Sequence, residues 1–403
     1  MKIIEDSIAA FASFIWGYPL LLLLIGGGIY LLILSRFLPF RYFGHAIQVL
    51  RGKYDDPDDP GQISHFQALT TALSATVGMG NISGVAVAIA MGGPGAIFWM
   101  WISAVVGMST KFFTSSLAIM YRGKDSEGEL QGGPMYFITE GLGKKWKPLA
   151  IFFSACAMIG ALPVFNVNQL TQAVNDILLK PNGVEVTNYT NLVIGVFLVI
   201  ITSIVVLGGL KRIGKVTSRL VPSMVLLYFI LVVVILIVHI DVVPKYFLMI
   251  FTDAFSADFI KEESVLGGVV GALIILGIKR GAFSNEAGVG TAPMAHGAAK
   301  TDEPIREGLV AMLGPFIDTI IVCTLTALAI LVTGVWQTSD TNGVSLTATA
   351  FGNAMPGVGK YLLMICVAIF SISSLFSYSY YGTKSLSFLV GSKYKHLYNY
   401  LFI

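Results

Sequence analysis

Two stretches gather residues that an apolar, membrane-length segment rarely holds. Val77-Gly78-Met79-Gly80-Asn81-Ile82-Ser83-Gly84 sets three glycines beside an asparagine. Gly277-Ile278-Lys279-Arg280-Gly281-Ala282-Phe283-Ser284-Asn285-Glu286-Ala287-Gly288 mixes glycines with charges. Each glycine lowers helix propensity by about 1 kcal/mol relative to alanine, so both stretches predict a local break. An unwound turn bares N–H groups on one half-helix and carbonyls on the other. The N–H end attracts a carboxylate, and the carbonyls ligate a hard cation. One site of this kind can hold a zwitterion and an ion together, with Met79, Gly80, Asn81, Gly277, Ile278 and Gly281 around it. The competing reading is close helix packing through small pairs such as Gly80/Gly84. A dinucleotide-binding glycine loop is excluded, because Ser83 stands where its third glycine belongs and no strand precedes it.

Further polar residues lie at membrane depth. Phe370, Ser373, Ser374 and Ser377 fall at i, i+3, i+4 and i+7 and so share one helix face. Such serines either join helices or offer oxygen ligands. Asn166, Asn168, Gln169 and Gln172 follow Pro163, and amides in hydrocarbon need a partner helix or a ligand. Lys279, Arg280, Glu286 and Asp318 are ionisable. The expectation is that Arg280 pairs with Glu286 or Asp318 and steadies the seventh segment; alternatively, Asp318 carries a proton. Met79, Phe165, Ile278, Phe283 and Phe370 offer bulky walls suited to a small solute.

The elements that carry these residues must be membrane helices. The chain has 403 residues, of which 55% are apolar and 12% charged, with a mean hydropathy of +0.77. That supply of charge cannot cover a soluble protein of this length, and the apolar fraction excludes disorder. A net charge of +3 gives no footprint for nucleic acid. Cys156, Cys323 and Cys366 are too scattered for a disulfide framework or a zinc cluster. Segments of about 20 apolar residues appear at 14–34, 69–91, 97–121, 148–174, 190–207, 220–240, 266–296, 309–335 and 361–381. The acidic start, Glu5-Asp6, lacks a basic n-region, so the first segment reads as a retained helix.

With the N-terminus placed outside, the inner loops hold Lys and Arg at 36, 41, 51, 53, 122, 124, 144, 145, 147, 211, 212, 215, 219, 300, 306, 384, 393 and 395. Only Lys2, Lys180, Lys245, Lys261 and Lys360 fall outside. This bias fixes the predicted orientation. Pro244–Phe255 and Ser345–Asn353 read as short helices on the outer side. The two unusual segments each open a set of five crossings, so the sets have opposite orientation. Broken helices at matching positions of inverted halves point to a transport site. No His-Glu-x-x-His or Gly-x-Ser-x-Gly motif suggests an enzyme.

Gly78-Met79-Gly80-Asn81, Gly92-Gly93-Pro94-Gly95, Phe98-Trp99-Met100-Trp101 and Gln131-Gly132-Gly133-Pro134-Met135-Tyr136 together resemble the alanine or glycine:cation symporter family (sodium:alanine symporters). Arg280-Gly281-x-x-Ser284-Asn285-Glu286-Ala287-Gly288, Ala292-Pro293-x-Ala295-His296 and Ser379-Tyr380-Tyr381-Gly382 extend the likeness to residue 382. The resemblance implies an all-α integral membrane protein with a leucine-transporter-like fold. An extra helix at 14–34 precedes inverted five-helix repeats at 66–241 and 265–403. It implies alternating-access uptake of alanine or glycine with Na+ across the cell membrane, H+ coupling being the alternative. Neither an organic cofactor nor an obligate protein partner is implied; the partners are the lipid bilayer and a small neutral amino acid.

Residue by residue, the likeness aims the amides of Met79 and Gly80 at the solute carboxylate. It puts the carbonyls of Ser74, Val77 and Phe370 and the hydroxyls of Ser373 and Ser374 on Na+. Asn166 and Asn168 stand where the family places a Gln/Asn pair that contacts substrate. Eight core helices are present where the fold has ten, so the expectation is of a protein roughly two spans longer. Gly80→Val should abolish solute binding while leaving membrane insertion intact; wild-type affinity in that variant would refute the assignment.

Overall fold

The computed structural model describes residues 2–256, 268–339 and 341–403. Lys261 and the first two residues of the seventh predicted segment lie outside the described residues. Helices dominate, with one short antiparallel hairpin, β1 (Gly123–Lys124) and β2 (Leu130–Gln131). Among the described residues seven helices are long and apolar enough to cross a membrane, and one bent pair passes the same test when its halves are taken together.

In chain order the helices are α1 (Glu5–Leu34), the bent pair α2 (His65–Thr76) and α3 (Gly80–Gly92), and α4 (Gly95–Met120). Next come α5 (Lys147–Gly160) and α6 (Val164–Val174), one span interrupted at Leu162-Pro163. Then follow α7 (Asn188–Val206), α8 (Gly209–Val238), α9 (Val243–Thr252), α10 (Gly268–Asn285) and α11 (Ala292–His296). The last four are α12 (Pro304–Val332), α13 (Val344–Ala354), α14 (Gly359–Val390) and α15 (Lys395–Phe402). The short α9 and α13 coincide with the two predicted outer helices. Large apolar side chains such as Leu22, Phe197 and Ile237 stay exposed on the outer helices, as lipid contact requires.

The first break forms where the glycines predict it. Ser64 caps α2 by accepting from the Gln67 amide, and Gln67 Oε1 accepts from Ser64 N–H in return. The helix ends at Val77, whose backbone is extended, and α3 restarts at Gly80 after a bend of 51°. α4 runs through the centre, with α12 and α10 packed against it. Pro315 interrupts the regular turn of α12, and wider turns follow over Phe316–Cys323. Those turns carry Asp318 inward.

The second break lies elsewhere than predicted. α10 is unbroken through residues 277–281 and ends at Asn285. The chain unwinds only afterwards, where Glu286 (φ 53°), Gly288 (φ 92°) and Gly290 (φ 93°) adopt left-handed backbone. Gly277 and Gly281 serve packing instead. A Cβ on Gly277 would lie 2.5 Å from the Ala96 carbonyl oxygen and from Trp99 Cβ; one on Gly281 would lie 2.9 Å from Ser103 Cβ. Four residues apart, both face α4, and their small size lets the two backbones approach. The buried Ile278 also sits in this continuous helix. Lys384, counted above as an inner-loop charge, is buried within α14.

Gly281→Val should therefore act as an overpacking mutation costing about 1–3 kcal/mol. Its expected signature is a lower thermal midpoint in detergent with Na+ dependence unchanged. A normal midpoint combined with lost solute binding would restore the glycine to the site.

Candidate ion and solute site

Three buried clusters meet around the first break. The end of α2 packs against the middle of α14. Ser74 Oγ lies against Ser377 Oγ, and both hydroxyls donate to the Thr71 carbonyl, at 3.0 and 2.7 Å. A Cβ on Gly78 would lie 2.8 Å from Ser374 Oγ and 3.9 Å from the Phe370 carbonyl oxygen. Glycine is thus required there by close approach. Ser373 and Ser374 donate to that carbonyl at 2.9 and 3.1 Å. Ser373 Oγ also lies 3.5 Å from Met224 Sδ on α8.

Gly78 N–H donates to Asn81 Oδ1 at 2.8 Å. The Ser74 carbonyl consequently loses its usual helical donor four residues on. Ser74, Val77, Phe370, Ser373 and Ser374 are all fully buried. Neutral oxygens, with hydroxyl lone pairs still unused, suit a hard monovalent cation. No group of three or more His, Cys, Asp and Glu side chains that could hold a metal occurs among the described residues.

The second cluster anchors the break. Asn81 Nδ2 donates to Asp318 Oδ1 at 2.8 Å and to its main-chain oxygen at 3.0 Å. Ser284 and Thr319 donate to Asp318 Oδ2 at 2.8 and 2.7 Å. The carboxylate therefore holds α3, the end of α10 and α12 together. Cys323 Sγ lies 3.3 Å from Ser284 Oγ. A Cβ on Gly80 would meet Ser284 Cα at 3.4 Å and Phe283 Cδ1 at 3.8 Å, so the first turn of α3 faces the end of α10.

The third cluster surrounds the second break. Glu286 accepts from the Thr291 hydroxyl and, at 3.0 Å, from Tyr378 of α14. Phe165 and Phe283 stack edge to face with centroids 5.4 Å apart. Both rings remain partly exposed, and Met79 lies fully buried behind them.

Two expectations are corrected. Among the described residues Arg280 forms no ion pair with Glu286 or Asp318, both of which are held by the neutral donors named above. Arg280, five residues before α10 ends at Asn285, lines a hollow of about 310 Å³ beside Trp16 of α1, whereas Glu286 lies beyond the helix with left-handed backbone. The buried cation near both carboxylates is Lys111 of α4. Asn168 is exposed, since two residues of helix separate it from the inward Asn166 by about 200°. Gln169 instead reaches α3, accepting from Ser83 Oγ at 3.0 Å.

Sequence reasoning assigned no role to Ser284, Thr319, Tyr378 or Gln169. Tyr378, four residues beyond Ser374, and Gln169, three beyond Asn166, carried a periodicity signal.

A model of the sodium:alanine symporter family matches residues 1–403. The sodium/alanine symporter AgcS of Methanococcus maripaludis is 43% identical over 97% of this chain and 85% of its own. An uncharacterized transporter of Haemophilus influenzae is 40% identical over 99% and 86%. The probable sodium/glutamine symporter GlnT of Bacillus subtilis is 34% identical over 97% and 79%.

Gly78→Ala tests the ion site, because its methyl group would displace Ser374 from the break. The Na+ concentration giving half-maximal thermal stabilisation should rise about tenfold, the effect of roughly 1.4 kcal/mol. An unchanged concentration would move the ion elsewhere.

Proposed function

The chain belongs to the sodium:alanine symporter family, and on that premise we propose that it carries a small neutral amino acid, alanine or glycine, into the cell with Na+. The observation that carries this reading is the approach of the broken α2–α3 segment to Ser374 and the Phe370 carbonyl. The carbonyls of Ser74, Val77 and Phe370, with the hydroxyls of Ser373 and Ser374, hold the ion. The amides of Met79 and Gly80, at the start of α3, hold the solute carboxylate. Asn166 and Phe165 line the same space from α6. Gly277, Ile278 and Gly281 are left out, since they lie in the packed part of α10.

Coupling follows from chain continuity. Val77 and Met79 are two residues apart, so an ion that fixes the Val77 carbonyl also orients the amides that meet the carboxylate. Ion and solute then raise each other's affinity by one common factor, as linkage requires. A small solute fits because Gly80 and Ser284 leave room for little more than a methyl group, and the Asp318 carboxylate behind Ser284 is taken up by Asn81, Ser284 and Thr319.

The protein sits in the cell membrane with its N-terminus outside. Residues 66–241 and 265–403 form the inverted repeats of a leucine-transporter-like fold, preceded by the helix at 14–34, and work by alternating access. Sodium is preferred over protons because Asp318 already accepts from three side-chain donors. A proton there would face the hydrogens of Asn81, Ser284 and Thr319.

Radiolabelled alanine uptake into proteoliposomes tests the proposal, with glycine, serine and glutamine as competitors. Uptake should follow an inward Na+ gradient and stop when K+ replaces Na+. Uptake driven by a pH gradient without Na+, and lost in Asp318→Asn, would overturn it in favour of proton coupling.

A further inference from the structure

Arg280 has no task in the ion and solute site described above, yet it stands at membrane depth in α10. Its Nε is buried and, among the described residues, has no hydrogen-bond partner. Nor does any carboxylate among those residues lie within ion-pair distance of its guanidinium. A guanidinium drawn away from bulk water without an anion is unfavourable. Its planar fork matches a carboxylate through two parallel hydrogen bonds. The residue lines the hollow of about 310 Å³ between α1 and α10, together with Ala12, Ser13, Trp16, Lys279 and Phe283. That volume falls at the small end of ligand pockets, about 300–1,000 Å³, and none of these six side chains is acidic.

One ring joins the hollow to the candidate solute site. Phe283 meets Trp16 with ring centroids 6.3 Å apart, and its Cδ1 lies 3.8 Å from the place a Cβ on Gly80 would take. Arg280 precedes Ser284, the other neighbour of Gly80, by four residues. The two therefore share a face of α10, about 6 Å apart along its axis. Because α10 follows the outer helix α9, Arg280 lies one turn nearer the outer side in the orientation proposed above.

We propose that this hollow is an outer waiting site for the amino acid, in which Arg280 binds the α-carboxylate before the solute passes Phe283 to the amides of Met79 and Gly80. The inference deepens the transport reading and rests on it. A zwitterion brings the anion that the guanidinium lacks, and Trp16 and Phe283 offer apolar walls to a side chain as small as a methyl group. Moving inward, the carboxylate exchanges one set of N–H donors for another a single helical turn away. The fixed positive charge also raises the local concentration of carboxylates at the mouth of the path.

The test reads the emission that Trp16→Phe removes, in detergent-purified protein with K+ in place of Na+. Alanine and propionate, which share the carboxylate, should each shift this emission, whereas alaninamide, which lacks it, should not. Arg280→Gln should raise the half-saturating alanine concentration more than about tenfold, and Arg280→Lys should recover part of the loss. The response should survive Gly80→Val, which blocks the inner site. No shift with alanine, an unchanged response in Arg280→Gln, or a response lost in Gly80→Val would overturn the proposal. A shift produced by micelles containing phosphatidylglycerol and not by alanine would overturn it in favour of a lipid phosphate.

If Arg280→Gln does not fold, Ala12→Phe replaces it. A ring placed in the hollow from α1 should weaken the alanine response by about tenfold, and an unchanged response would equally overturn the waiting site. Na+-driven alanine uptake by the unsubstituted protein reports separately on the transport reading, which fails if there is none. Uptake without a Trp16 response sinks the waiting site alone.

Discussion

A helix that stops inside hydrocarbon leaves bare backbone groups, each costing several kcal/mol if nothing answers it. The break after Thr76 persists because Asn81 accepts the Gly78 N–H, and Asp318 in turn fixes Asn81 by its amide. That short relay makes the unwound turn a preformed feature. The unwound turn lies against α14, with Gly78 closest to Ser374. Removing Asp318 as an anchor would free Asn81 to rotate and let the helix close on itself. The shape of the break therefore depends on a carboxylate held by Asn81, Ser284 and Thr319.

The same constraint is met differently at the second break. There Glu286 occupies a left-handed conformation that residues with a Cβ rarely adopt. Its carboxylate is fixed by Thr291 within the break and by Tyr378 from α14. Tyr378 thereby ties α14 to the unwound stretch. α14 thus supplies serines to one break and a tyrosine to the other, from positions four residues apart. A solute lying between the breaks would touch groups set by a single helix.

Much of this was legible in the residues, and the failures have physical causes. Gly78-Met79-Gly80-Asn81 announced its break because glycine beside asparagine favours unwinding and supplies the side chain that caps it. Gly277 and Gly281 gave the same compositional signal for another reason, since backbones in close contact also need glycine. Composition does not separate the two uses; the left-handed positions at Gly288 and Gly290 do, and they lie beyond the charges that drew attention. Asn168 was chosen over Gln169 by likeness to the family's amide pair, whereas one residue of helix, 100°, decides which amide faces α3. The partners of Arg280, Glu286 and Asp318 depended on which helices become neighbours, which no local pattern states.

Bond strength in the structure is distributed unevenly, and that has a mechanical consequence. Contacts among α2, α4, α11 and α12 combine backbone pairing, a guanidinium on four carbonyls and a buried carboxylate between two imidazoles. Contacts from α14 to the same region are single hydrogen bonds, from Ser377 to the Thr71 carbonyl and from Lys384 and Tyr380 to that of Met294. A two-state change follows the boundary where least is lost. That boundary runs along α14, past the serines at the proposed ion site. An ion that bridged α2 to α14 would add to these few hydrogen bonds, so its arrival and departure would act on the contact between the two helices.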